Sequence, residues 1–181
     1  MRLAAIDIGT NSTRLLITEI LTLKNHHKHY PPIIFSKGFA LKPVFGDMQI
    51  TRIGKNIDKT GKINISYADK TLNVLKKYKN IILKSGVKKY RAVGTRALRQ
   101  AENSKYFIER AKDILNIDIE IISSTEEARL SFNGALGIVE QLSILKDGNE
   151  ALSIISKHKN ILVLDIGGGS TEFIFGNFSG E

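Results

Sequence analysis

Cysteine is missing from all 181 residues, which excludes disulfide frameworks, thiolate metal centres and cysteine nucleophiles together. No stretch approaches the ~18 consecutive apolar residues that a membrane-spanning helix needs. A secretory leader is not visible either, because Asp7 interrupts the apolar run Leu3-Ala4-Ala5-Ile6 well short of a signal core. A cytoplasmic protein without membrane association is the expectation. Aromatic side chains are sparse at 7%. Tyr and Phe are scattered without the spacing of a base-stacking platform, so no nucleic acid is expected as partner. Acidic residues are scarce in the middle of the chain: residues 24–124 carry 21 basic against 8 acidic side chains, net +13, whereas 125–181 carry 4 against 8, net −4. Such a field suggests an anionic partner, against the plainer reading of a drift toward lysine. The length suits one domain and part of another, and a 42% apolar content fills a core without staples.

The pattern of apolar residues reads as an α/β chain. Leu3–Ile8 and Thr13–Ile20 flank a small-residue turn and predict a hairpin. Ile33–Leu41 predicts a third strand. Leu72, Leu75, Tyr78 and Ile82 recur at helical steps from Ser66, with Gly86 as the stop. Tyr90–Gly94 predicts a strand, Thr95–Ala101 a helical turn and Ser104–Leu115 a helix after Asn103. A strand at Ile117–Ile122, a helix over Ser124–Glu140 and strands at Ile161–Leu164 and Thr171–Phe175 complete the order. His26-His27-Lys28-His29 has the composition of a metal tract but no carboxylate beside it, and reads as a solvated turn.

One segment occurs twice. Asp7-Ile8-Gly9-Thr10-Asn11-Ser12-Thr13-Arg14 returns 158 residues later as Asp165-Ile166-Gly167-Gly168-Gly169-Ser170-Thr171-Glu172. Each follows an apolar run and precedes another, so both predict a strand ending in Asp, a tight turn and a return strand. Small residues let backbone N–H groups close on an anion, and Ser and Thr add hydroxyl donors. The phosphate-binding candidates are Gly9, Thr10, Asn11, Ser12 and Arg14 in the first copy, and Gly167, Gly168, Gly169, Ser170 and Thr171 in the second. Asp7 and Asp165 stand where a strand-end carboxylate holds a hard cation. Arg14 against Glu172 gives one copy a cation and the other a carboxylate, which suits a cleft that grips phosphate and also binds metal or activates water.

Two further segments carry chemistry. Thr95-Arg96-Ala97-Leu98-Arg99 follows a strand and opens a helix, with Thr95 as cap and the two arginines on one face for a bidentate phosphate grip. Ser124-Thr125-Glu126-Glu127 has the spacing of a capping box, with Ser124 as cap and Glu127 as its partner.

With Thr51-Arg52-Ile53-Gly54 and Glu126-Glu127-Ala128-Arg129-Leu130-Ser131, these segments stand in the order in which they occur in the exopolyphosphatase and guanosine pentaphosphate phosphohydrolase (Ppx/GppA) family. The chain resembles that family over nearly its whole length, residues 21–45 being the divergent piece. The resemblance implies a ribonuclease-H-like fold of the actin, Hsp70 and sugar-kinase superfamily: a mixed sheet with flanking helices. Domain I would occupy 1–124. Residues 125–181 would hold the crossover helix and first hairpin of a like domain II, left incomplete. It further implies hydrolysis of terminal phosphoanhydrides of inorganic polyphosphate or guanosine pentaphosphate. Glu127 would be the catalytic carboxylate, Arg99 a phosphate ligand, and Asp7, Asp165 and Glu172 the residues near a Mg²⁺ ion. A homodimer is implied for the intact protein. The competing readings are a catalytically inert polyphosphate or nucleotide sensor and a small-molecule kinase of the same superfamily.

Overall fold

The computed structural model describes residues 1–22, 33–35, 39–145 and 160–177. The chain divides into two compact units. Unit 1 comprises Met1–Thr18, Pro43–Ser124 and Gly167–Ser170; unit 2 comprises Glu19–Lys42, Thr125–Ile166 and Thr171–Glu181. The histidine tract at 26–29 lies outside the described residues.

A six-stranded mixed sheet runs through the chain, its residues from 19 to 42 falling in unit 2 and the rest in unit 1. Strands β1 (Arg2–Ile8), β2 (Ser12–Thr22), β3 (Ile33–Phe35), β4 (Phe39–Ile50), β5 (Lys89–Gly94) and β6 (Ile119–Ile121) stand in the order β3-β4-β2-β1-β5-β6. β5 runs parallel to β1 with Ile6 opposite Ala92 and Asp7 opposite Val93, and β6 runs parallel to β5. Alternate residues of the first two strands, Ile6, Ile8, Leu15 and Ile17, are buried on one face, as strand periodicity requires. Against that face lie α2 (Ile65–Lys84) and α4 (Ser104–Leu115), which bury Leu72, Leu75, Tyr78 and Ile82, and Phe107, Ala111 and Leu115.

The expected helices form where the periodicity put them. α4 has the expected bounds, and α2 starts one residue early because Asn64 takes the cap, its side chain accepting from the Ser66 N–H at 2.9 Å. Gly86, at φ 65°, ends α2 as expected.

The region expected to be one strand from Ile33 to Leu41 is instead two: β3 pairs antiparallel with the first residues of β4, and β4 runs on to Ile50. The four-residue α1 (Ile57–Thr60) has no periodicity to announce it; left-handed residues bracket it, Asn56 at φ 65° and Gly61 at φ 66°. The turn after β5 is α3 (Arg96–Gln100).

In unit 2, α5 (Ser124–Leu145) starts with its Ser124 in unit 1 and runs past the expected Glu140. β7 (Ile161–Ile166) and β8 (Thr171–Gly176) pair antiparallel, Asp165 opposite Glu172. Asp165 and Glu172 share the better-covered face of this hairpin with Ile161, Val163 and Ile174, while Leu162, Leu164, Ile166, Phe173 and Phe175 on the other face are exposed.

Candidate functional site

The two copies of the repeat fold into the same turn. The Gly9 N–H donates to the Ser12 carbonyl at 3.0 Å, and the Gly167 N–H donates to the Ser170 carbonyl at 2.9 Å. A Cβ on Gly9 would sit 3.1 Å from the Ser12 oxygen, and one on Gly167 would sit 3.2 Å from the Ser170 oxygen. Both turns are therefore tight around the glycine at the same place.

The tips of the two turns line one pocket of about 340 Å³ within unit 1. Thr10 and Asn11 come from the first copy and Gly168 and Gly169 from the second. The approach is close: a Cβ on Gly168 would meet Asn11, its backbone N at 3.2 Å, and one on Gly169 would meet the Thr10 side chain at 3.0 Å. Bulk at either glycine would push the turns apart.

The rest of the wall comes from the segment between β4 and α1 and from α3. Thr51 and Arg52 both donate their N–H to the Asn11 carbonyl, at 3.1 and 2.9 Å, and Gly54 donates to the Thr10 carbonyl at 2.9 Å. This strap places Arg52, Lys55, Asn56 and Asp58 on the pocket. Behind it, the Thr51 and Thr13 hydroxyls share a buried hydrogen bond of 3.0 Å. From α3 comes Arg96, whose guanidinium bonds the Gly169 carbonyl and, at 2.6 Å, the Asp58 carboxylate. Sequence reasoning missed Lys55, Asn56 and Asp58 and gave Arg52 no role; no periodicity marks them, since the strap is shaped by hydrogen bonds to a distant turn.

The helix-cap expectation at Thr95 is corrected. Thr95 precedes α3, yet its hydroxyl makes no cap; it points to the Ile8 carbonyl at 3.5 Å. Of the two arginines expected to share a task, Arg96 lines the pocket and Arg99 does not, its Nη1 donating to the Ile122 carbonyl at 2.7 Å. Asp7 is near the end of β1, and Arg14 is exposed on β2; neither lines this pocket, nor do Gly9, Ser12, Gly167 or Ser170.

The remaining candidates belong to unit 2. Asp165 and Glu172 face each other across the β7–β8 pair, with Thr171 beside them, and the Ser131 hydroxyl of α5 donates to Asp165 at 2.5 Å. Glu127 lies one helical turn before Ser131, on the same side of α5. The capping-box expectation is corrected by one residue: α5 begins with Ser124 itself, so the third helical residue is Glu126. Glu126 instead holds Arg129 in a bidentate pair at 2.7 and 2.8 Å, which raises the Arg129 pKa.

Two carboxylates and a hydroxyl fit a hard divalent cation that keeps waters and takes phosphate oxygens for its remaining positions. Among the described residues no group of three or more His, Asp or Glu side chains is placed to hold a metal ion. Among them, too, no helix is long and apolar enough to cross a membrane.

Residues 33–179 match the model of the Ppx/GppA phosphatase family. The chain is 36% identical over 179 residues to a bifunctional 3-dehydroquinate synthase/phosphatase of Fusobacterium nucleatum, covering 98% of this chain and 23% of that protein. It is 31% identical to exopolyphosphatase 2 of Mycobacterium tuberculosis, covering 97% of this chain and 48% of that protein. With a guanosine-5′-triphosphate,3′-diphosphate pyrophosphatase of Aeromonas hydrophila it shares 27% identity, covering 97% of this chain and 29% of that protein. Among solved structures, a Ppx/GppA family member of Aquifex aeolicus superposes with a TM-score of 0.69 at 30% identity, over 98% of this chain and 47% of that one. An exopolyphosphatase of Cytophaga hutchinsonii gives 0.74 at 30% identity, with the same coverage. The chain thus spans half or less of the length of these relatives.

Proposed function

The chain belongs to the Ppx/GppA phosphatase family, and on that premise we propose that it serves a hydrolase of terminal phosphoanhydrides. The substrates are inorganic polyphosphate or guanosine pentaphosphate, and the product is orthophosphate. One observation carries the reading: two glycine turns closed by the same hydrogen bond line a single pocket whose other walls bring Arg52, Lys55 and Arg96. Free N–H groups, small residues and cations around a cavity of this size are what a phosphate chain requires.

In the proposed mechanism the turns hold the phosphoryl group through backbone N–H groups and the Thr10 hydroxyl. These donors are fixed before substrate arrives and need no reorganisation as charge develops on the equatorial oxygens. Arg52, Lys55 and Arg96 are the cations of that anion-binding set. Glu127 orients and deprotonates the attacking water, which displaces the remaining phosphate chain from the terminal phosphorus. A Mg²⁺ held by Asp165 and Glu172 would supply charge neutralisation on the phosphate oxygens. The Ser131 hydroxyl on Asp165 fixes the orientation of that carboxylate.

Phosphate release from polyphosphate and from guanosine pentaphosphate, with Mg²⁺ titrated, tests the reading. Metal-dependent release from either substrate is expected. Tight binding of both without release would instead assign an inert phosphate-chain sensor.

A further inference from the structure

We propose that Arg52 is the substrate-facing cation of the unit 1 pocket, held ready for a phosphate of the incoming chain by a strained backbone. This rests on the reading that the pocket takes phosphate. Three cations line the pocket, and they are not equivalent. Arg96 already bonds the Gly169 carbonyl and the Asp58 carboxylate. The Lys55 ammonium stands over the Tyr67 ring, 5.4 Å from its centre. The Arg52 guanidinium has no hydrogen bond or ion pair with any of the described residues.

The backbone supplies an independent argument. Arg52 has φ 57°, in the left-handed region that disfavours side chains with a Cβ. The other described residues with positive φ are Asn56, Asn116, Gly61 and Gly86, the residue types that tolerate it. Arg52 is the single long cationic side chain among them. Its conformation is enforced from outside, by the two N–H bonds to the Asn11 carbonyl and by the Lys55 N–H donating to the Arg52 carbonyl at 3.0 Å. Burial does not explain the choice of arginine, because the side chain is exposed. A disfavoured backbone that is maintained under an unpartnered guanidinium at a pocket is the signature of a functional demand. The same strap that strains Arg52 also holds the tip of the first glycine turn, so the cation and the turn are positioned together.

The experiment uses inorganic tripolyphosphate as probe, with calorimetric titration and thermal melting of the 181-residue chain and its variants at low salt. Arg52→Gly relieves the backbone strain, so its melting temperature should equal or exceed that of the parent. Its affinity for tripolyphosphate should fall about tenfold or more, as for loss of a charge-assisted contact. Arg52→Lys should restore part of that affinity. An Arg52→Gly variant that binds as tightly as the parent overturns the role of Arg52 and leaves the phosphate reading standing. A variant that loses several degrees of melting temperature along with its affinity makes Arg52 a structural residue and overturns it equally. Failure of the parent itself to bind tripolyphosphate overturns the pocket's phosphate reading as well.

Discussion

Gly168 is the residue on which the pocket's shape depends most directly. Its Cα approaches Asn11 so closely that one added methyl would meet that residue's backbone. Gly168 is exposed, so an alanine there leaves the core untouched. Gly168→Ala should keep the melting temperature of the parent and weaken polyphosphate binding about tenfold or more, by pushing the two turn tips apart. Equilibrium titration beside a thermal melt checks both halves. Asp47 offers a contrasting case with no part in the pocket. The Gln49 amide, reaching both carboxylate oxygens at 3.1 Å, holds its pKa below the ordinary 3.8, and the Lys77 ammonium at 3.2 Å adds to this. A depressed folded-state value means stabilisation that is complete above pH 3.8 and is lost as pH falls through the lower folded value. Asp47→Asn should therefore be less stable than the parent at neutral pH, by a small margin, and the two should converge in acid. Denaturation midpoints measured across pH read that convergence. At this scale the sequence was legible where it repeated itself: the glycines of both turns were found because their neighbours recur 158 residues apart. Arg52 was not, since nothing in Thr51-Arg52-Ile53-Gly54 betrays a left-handed backbone. That conformation comes from the carbonyl of Asn11, 41 residues earlier in the chain.

The elements most readable in advance are those whose own periodicity decides them. α2 buries Leu72, Leu75, Tyr78 and Ile82 along one stripe, and the same stripe carries the Tyr78 hydroxyl to the Thr13 carbonyl at 3.0 Å. Thr13 is the second residue of the return strand after the first glycine turn, so this helix holds the strand that the turn enters. Burial also drives the Tyr78 pKa well above the ordinary tyrosine value, which keeps the hydroxyl neutral and a donor. Tyr78→Phe should cost about 1 kcal/mol, the net worth of one hydrogen bond. Leu75→Ala, at a fully buried site, should cost about 2–5 kcal/mol. Urea denaturation of both variants gives the comparison, and the order of the two losses is the test. Elements made by partners rather than by periodicity were less legible. The β3–β4 pair reads as a single strand because both its members are apolar, and α1 is too short to show a period. The start of α5 was displaced by one residue, and that single step exchanges Glu127 for Glu126 at the third helical position. The arginine three residues on then takes Glu126 as its ion-pair partner, an i,i+3 contact that any helix through this segment permits.

Across the whole molecule the charge asymmetry separates the two kinds of candidate residue. The cations of the pocket, Arg52, Lys55 and Arg96, belong to unit 1, and the carboxylates Glu127, Asp165 and Glu172 belong to unit 2. If the positive middle of the chain serves a phosphate polymer, binding should depend on released counterions and weaken steeply with salt, whereas a merely lysine-rich surface would have no preferred ligand. On the proposed assignment binding and turnover are separable, because they rest on different residues. Glu127→Ala should abolish phosphate release, a loss of at least about a hundredfold if Glu127 is the general base. Polyphosphate affinity should stay within about twofold of the parent, since no cation is altered. Glu127→Gln, which keeps the size of the side chain and removes only its basicity, should be equally inactive. Retained release in either variant would move the base to another carboxylate. Lost binding together with lost release would make Glu127 a structural residue of α5. Measuring phosphate release and polymer binding on the same preparations distinguishes these outcomes, and the salt dependence of the binding arm shows whether the pocket cations still carry it.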